Sequence, residues 1–278
     1  MLLGGGVGLL VVVVILLLTR AIRVNPVQLA RGTGMLILLL AMSFFAWLLL
    51  FGRLSRVERR RVVVVAVFFL ASAVFWSGFE QAGSTLNLFA ERYTDRSFLG
   101  GFFPAGEHPA GYYQSVNALF ILLLAPWFGW LWITLSARLL EPSAPLKFAF
   151  GLIFLAAGFA VMAIGSFRVL QSAEKVWPTW LILTYLFHTF GELCLSPIGL
   201  SWVTKLAPAR FVGQMMGLWF TATSLGNLMS GLIAGYFGKE SLQSMPGQYL
   251  TMVEAALLVG LLLALFARPI KRMIGDVK

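Results

Sequence analysis

The sequence predicts an all-α transmembrane protein of eight membrane-spanning helices, on three observations. Of the 278 residues, 59% are apolar and 12% are charged, whereas soluble domains carry roughly a quarter charged residues. The apolar residues gather into runs that meet the length needed for a bilayer core of ~30 Å, about 20 residues at 1.5 Å rise each. The basic residues fall in short stretches between those runs, where they set topology.

The eight runs lie at 2–18, 34–51, 62–90, 112–135, 148–164, 180–203, 215–237 and 252–267. The first is not read as a signal peptide, because no positive charge precedes it and it ends in Thr19 and Arg20 without a small-residue cleavage site. It is read as a retained helix. Between the second and third runs, Arg53, Arg56, Arg59, Arg60 and Arg61 suggest an anchored turn rather than a helix interior. That punctuation divides the chain into a two-helix membrane hairpin at 1–55 and a six-span unit at 56–278. The stretch 91–111, with Gly100, Gly101, Pro104, Gly106 and Pro109, has a composition for turns. No soluble domain is expected.

The net charge of +10 is not read as a nucleic-acid footprint, because it is dispersed over the loops. Thirteen basic residues, Arg53 to Arg61 together with Arg138, Lys147, Lys205, Arg210, Arg268, Lys271, Arg272 and Lys278, fall at one end of the spans, against eight at the other. By the positive-inside rule both termini are cytoplasmic, in a multi-pass protein of the plasma or inner membrane. The single cysteine, Cys194, lies within a span, so no disulfide framework is expected.

Burying a charge at the bilayer centre costs at least ~2.5 kcal/mol, which makes Glu80 and Glu192 the first site candidates. A carboxylate paired to another helix for packing alone is the competing reading. Helical spacing places Trp76, Glu80, Ser84 and Asn87 along one side. His188, Glu192 and Ser196 follow at i, i+4, i+8, with Pro197 positioned to bend the helix. Each carboxylate sits in the first helix of a three-span group, as an inverted repeat would leave it. A ladder on one helix does not converge as nucleophile, base and orienting acid must, so an intramembrane enzyme is a distant alternative. His188 and His108, without an HExxH pattern or cysteine cluster, do not suggest a metal site. The spacings Gly213/Gly217 and Gly231/Gly235 suggest close helix packing. Trp76, Trp219, Asn117 and Asn227 read equally as packing or as site residues.

Several separated motifs carry a resemblance. They are Phe75-Trp76-x-x-Phe79-Glu80-Gln81, Gln114-Ser115-x-Asn117-x-Leu119-Phe120-Ile121, Gly191-Glu192-Leu193-Cys194-Leu195-Ser196-Pro197-Ile198-Gly199-Leu200 with Thr204-Lys205-Leu206-Ala207-Pro208, and Met215-Met216-Gly217-x-Trp219-Phe220. In order and spacing they resemble the proton-dependent oligopeptide transporter family of the major facilitator superfamily over residues 62 to 267. The resemblance implies helices seven to twelve, the C-terminal six-helix bundle, preceded by the extra helix pair found between the halves of prokaryotic members. It implies a proton-driven symporter of di- and tripeptides that uses no cofactor beyond the proton gradient. A six-helix first half, covalent or separate, completes the site. Glu192 is then the carboxylate that attracts the peptide amino terminus, and Glu80 is linked to proton coupling and gating. Asn117 and Ser196 contact the ligand, and Trp76 and Trp219 wall the pocket. A non-transporting scaffold or partner subunit that keeps the fold is the alternative reading.

Overall fold

The computed structural model describes residues 25–237 and 242–275, the side chains of 236 and 237 excepted. The expected span at 2–18 lies outside the described residues. Among the described residues there is no strand, and seven helices of 21 residues or more account for the remaining expected spans. They are α1 (Pro26–Phe51), α2 (Arg56–Phe79), α4 (Gln114–Ala137), α5 (Ala144–Ser172), α6 (Thr179–Leu206), α7 (Val212–Phe237) and α8 (Met245–Leu265), with the shorter α3 (Thr85–Tyr93) and α9 (Ala267–Ile274) between and after them. Six segments of this set are long and apolar enough to cross a membrane. The seventh, α7, matches α1 in length at 26 residues but carries Thr221, Thr223, Ser224, Asn227 and Ser230.

Local chemistry fixes where these helices begin. Asn25 caps α1, its Oδ1 accepting from Val27 N at 3.0 Å and Gln28 N at 3.3 Å, with Pro26 at the first helical position where its missing N–H costs nothing. The arginine-rich stretch is not the turn the sequence suggested. Ser55 and Glu58 form a reciprocal capping box, and with those two N–H groups satisfied Arg56 to Arg61 become the opening turns of α2. Arg210 then donates to the carbonyls of Gly52 and Arg53, tying the end of α1 to the start of α7. Trp47 packs edge-on to Phe211 beside it, at 5.9 Å.

The expected run at 62–90 is interrupted as well. Helix α2 ends at Phe79, a 3-10 turn spans Glu80–Gly83, and α3 resumes at Thr85. Trp76, Glu80, Ser84 and Asn87 therefore do not form one continuous helical face. The cause is Gln81, fully buried, whose side chain substitutes for part of the helix ladder. Its amide nitrogen donates to the carbonyls of Ser77 at 3.1 Å and Ser230 at 3.3 Å, and its oxygen accepts from Ser84 and Thr85.

Helix α5 lies at the centre of the packing, against α6 and α8, while α2 packs on α7. At the α5–α6 crossing a β-carbon on Gly151 would come within 3.0 Å of the Gly191 carbonyl, and one on Gly191 within 2.7 Å of the Gly151 carbonyl. The backbones touch there. The small-residue pairs singled out in the sequence are not such contacts: β-carbons on Gly213, Gly217, Gly231 and Gly235 would meet nothing within 4 Å. Gly226, midway along α7, makes the close approach instead, with Trp76 Cβ at 2.5 Å and Ser77 N at 2.9 Å. The i, i+4 pattern could not tell which glycines face a neighbour. The core is rich in aromatic rings, including the stacked pair Phe68–Phe148 at 4.3 Å, and many large apolar side chains face outward, as a lipid surround permits.

The stretch 91–111 is ordered by the outer end of α3 and the α5–α6 loop. Thr94 bridges to Val176, with Asp95 N donating to Val176 O and Val176 N to Tyr93 O, both at 2.8 Å. Glu107 pairs with Arg96 at 2.5 Å and with Lys175 at 2.6 Å. His108 closes the loop through Nδ1 to the Arg96 carbonyl at 2.7 Å and Nε2 to Tyr113 Oη at 3.0 Å. With a carbonyl on one side, Nδ1 carries the proton and the tyrosine donates to Nε2.

Candidate functional site

The interrupted run positions Glu80. As the C-cap of α2 it leaves the helix axis at the turn that Gln81 holds in place, and its half-buried carboxylate lines a cavity of about 220 Å³ with Gln114 and Asn117 of α4 and Tyr185 and His188 of α6. The Tyr185 hydroxyl donates to the Ala82 carbonyl at 3.5 Å, pinning α6 to the turn. Across the cavity, the Asn117 amide nitrogen donates to Thr189 Oγ1 at 3.0 Å and to Glu192 Oε2 at 3.3 Å. Thr189 in turn donates to the Tyr185 carbonyl at 2.7 Å. Glu192 is thus joined to the cavity through Asn117.

Asn227 belongs to the same constellation. In the amide orientation that satisfies its partners, its nitrogen donates to Glu80 Oε1 and to the Thr223 carbonyl, both at 3.2 Å. Each carboxylate therefore accepts from an asparagine on a different helix, Glu80 from α7 and Glu192 from α4. An amide suits this position. Rotated by half a turn, it presents an oxygen to a protonated acid as readily as it presents N–H to an ionised one.

Of the sequence candidates, Glu80 and Asn117 line this cavity, and Glu192 reaches it through its bond from Asn117. Trp76 stands one turn before Glu80, packed edge-on to Phe75 at 5.6 Å and Phe79 at 5.2 Å. Ser196 is half-buried one turn beyond Glu192. Trp219 lies apart from the lining, in the core at 6% exposure. Its indole rests against Phe148 at 6.2 Å and over Gly199, where a β-carbon would meet it at 2.3 Å. His188 turns its ring onto α5, where a β-carbon on Gly158 would come within 2.7 Å of Nε2, and that nitrogen is buried without a partner. Pro197 is absorbed inside α6, which continues to Leu206.

Tyr185, Thr189 and Gln114 escaped the sequence reading. Tyr185, Thr189, Glu192 and Ser196 follow at i, i+4, i+7, i+11, a helical face that the pattern around Glu192 could have revealed. Gln114, whose amide donates to Asn87 Oδ1 at 3.3 Å, had no such signal beyond its place in a motif.

A helical membrane bundle that lines a small cavity with one carboxylate and two amides, and ties a second carboxylate to it through one of those amides, has the polar interior expected of a membrane transport protein. The comparisons agree with that class. The model of the POT family (PTR2) matches residues 36–251, and this chain belongs to the POT family. It is 42% identical over 271 residues to peptide transporter YePEPT of Yersinia enterocolitica subsp. palearctica, covering 96% of this chain and 52% of the relative. It is 31% identical to a di-/tripeptide transporter of Lactococcus lactis subsp. cremoris, over 80% of this chain and 43% of that one. A crystal structure of peptide transporter POT in complex with sulfate superposes with a TM-score of 0.83 at 32% identity, covering 96% of this chain and 52% of that one. The chain spans about half the length of the relatives it matches.

Proposed function

We propose that the chain is the C-terminal part of a proton-coupled symporter of small peptides, completed by a six-helix first half that is either covalently continuous or separate. The observation that carries this reading is the cavity lined by Glu80 and Asn117 in an otherwise apolar bundle, with Glu192 bonded to that Asn117 and each carboxylate held by an asparagine from another helix. In this mechanism Glu192 receives the ammonium group of the peptide, a charge-assisted bond strengthened by the low-dielectric surround. Asn117 orients that carboxylate with its N–H and keeps its amide oxygen for a ligand donor. Glu80 takes up and releases the proton, and Asn227 serves both of its states. Trp76, one turn before Glu80, and Ser196, one turn beyond Glu192, extend the polar surroundings along α2 and α6, while Trp219 acts from the core behind them by filling the space over Gly199. The proton gradient is the driving force, and no cofactor is needed.

The end of the bundle that carries the start of α2, the α6–α7 turn and α9 faces the cytoplasm on this reading, with both termini cytoplasmic once the expected first span is counted. The basic residues gathered at that end, Arg56 to Arg61, Lys205, Arg210, Arg268, Lys271 and Arg272, support it by the positive-inside rule.

The test is a pair of isosteric variants in an assembly that contains both halves. Glu192→Gln should raise the peptide dissociation constant at least about tenfold, since a charged hydrogen bond is worth ~1.5 kcal/mol or more, with little change in melting temperature. Glu80→Gln should keep peptide exchange while losing accumulation driven by a pH gradient. Unchanged peptide affinity in the first, or full proton-driven accumulation in the second, would remove the corresponding role.

A further inference from the structure

At the end of the bundle opposite the long loop, a second cavity of about 620 Å³ opens between the last turn of α4, the first of α5, the end of α6 and α9. Its lining includes Lys147, Lys205, Lys271, Glu141, Trp202 and Ile198. Lys147 is 3% exposed; its ammonium bonds Glu141 at 2.5 Å and stands 4.4 Å from the Trp132 ring. The bond from Lys147 holds the Glu141 carboxyl below the usual carboxylate range, so this pair is ionised and self-neutralising. Lys205, 5.7 Å from the Trp202 ring, and Lys271 are exposed and make no ion pair among the described residues. The cavity therefore holds two uncompensated positive charges. Amphipathic α9 forms one side, with Ala267, Ile270 and Ile274 buried and Arg268, Lys271 and Arg272 outward.

The rim supplies an independent observation. Helix α4 ends in a Schellman-type turn, with Leu140 N bonded to Leu135 O at 2.9 Å and Leu139 N to Ser136 O at 3.0 Å. The left-handed position of that turn usually takes glycine, yet Leu139 occupies it at φ 59° and is 95% exposed, with Leu140 beside it at 66%. Leucine is disfavoured in this backbone region, and at 95% exposure burial among the described residues does not offset that cost. Its side chain suits a hydrocarbon surround next to Glu141 at the cavity mouth.

We propose that this cavity binds the phosphate-bearing headgroup of an anionic phospholipid, with Lys205 and Lys271 meeting the phosphate and Leu139 and Leu140 lying among the acyl chains. A soluble phosphate would share the charge chemistry but would leave the two leucines unexplained. The site stands at the other end of α4 from Gln114 and Asn117, and it depends on the membrane placement of the bundle rather than on the transport reading.

The delipidated chain, in whatever assembly it purifies, is titrated with phosphatidylglycerol and with phosphatidylcholine, and bound lipid is counted by native mass spectrometry. Phosphatidylglycerol should bind preferentially. Lys205→Gln with Lys271→Gln should weaken it about thirtyfold without moving the melting temperature, because both side chains are exposed. Arg92→Gln with Arg168→Gln, removing the same charge at the far end, should leave it unchanged. Leu139→Gly, which favours the turn, should preserve or raise stability while lowering lipid retention. Equal losses from the two double variants would overturn the site in favour of diffuse charge. Displacement by inorganic phosphate at concentrations matching the lipid, or full retention in Leu139→Gly, would overturn the lipid as its occupant.

Discussion

Asn227 shows how much a single side chain can decide. It is the group that donates to the Glu80 carboxylate, and it stands on a different helix, so a change in Glu80 is felt by α7 as well as α2. Leucine at this position keeps the volume but offers neither donor nor acceptor, leaving Glu80 without its partner in either protonation state. Asn227→Leu should therefore express and fold like the parent yet lose most proton-driven uptake, whereas Asn227→Gln should retain part of it. Labelled-dipeptide accumulation under an imposed pH gradient checks this, and parental uptake in the leucine variant would detach α7 from coupling. One residue away, Gly226 meets the backbone of α2 rather than a flexible side-chain end. Gly226→Ala should destabilise by about 2 kcal/mol, in the overpacking range, while Gly217→Ala, which meets nothing, should be tolerated; thermal unfolding in detergent compares them.

At the scale of elements, the two loops at the outer end behave as one clasp through Glu107, Arg96 and Lys175. The hydrogen bond from Lys175, with the Arg96 guanidinium beside it, holds the Glu107 carboxyl below the usual carboxylate range. A group whose acidity is raised by folding stabilises the clasp fully above its ordinary value near ~4.3 and loses that contribution as pH falls through the lowered one. The hydrogen-exchange protection factors of residues 94–109 and 173–178, corrected for the intrinsic pH dependence of exchange, should stay high at pH 5 and fall only in stronger acid; Glu107→Gln should lower them at neutral pH. The same elements show what the sequence could and could not reveal. The runs beyond the first were readable because bilayer thickness imposes a length that composition alone betrays, and Glu80 and Glu192 stood out because charges in such runs are costly, whereas Asn117 reads equally as a packing residue without the family resemblance. The break at Glu80 was not readable, since it depends on Gln81 finding the Ser230 carbonyl 149 residues away. The helical character of Arg56 to Arg61 is written in the Ser55–Glu58 spacing, a local capping signal that the density of positive charge around it masks.

At the scale of the whole molecule, the polar faces of α4 and α7 lack a cover among the described residues. Asn227, Ser224 and Gln114 are exposed although their helices are of membrane-spanning length. Alternating access needs two halves that rock about a midplane site. Expressed alone, the chain should therefore insert and self-associate but show no proton-driven peptide uptake, and co-expression with a six-span first half from a close relative should restore it. Vesicle uptake of labelled dipeptide decides between outcomes. Robust uptake by the chain alone would point to a homodimeric carrier, and none from a well-assembled pair would favour a scaffold role.

Helix α4 contains no buried residue along its 24 positions, although it supplies the amide that holds Glu192. Around Glu192 on α6, His188, Thr189, Gly191 and Leu193 to Leu195 are buried, while its partner rides on a helix with one flank bare among the described residues. The Asn117–Glu192 bond, formed here at 3.3 Å, is therefore the one tie, among the described residues, from the Glu192 carboxylate to an outlying helix. On the proposed reading, a first half that seats against α4 touches the carboxylate's surroundings through this amide.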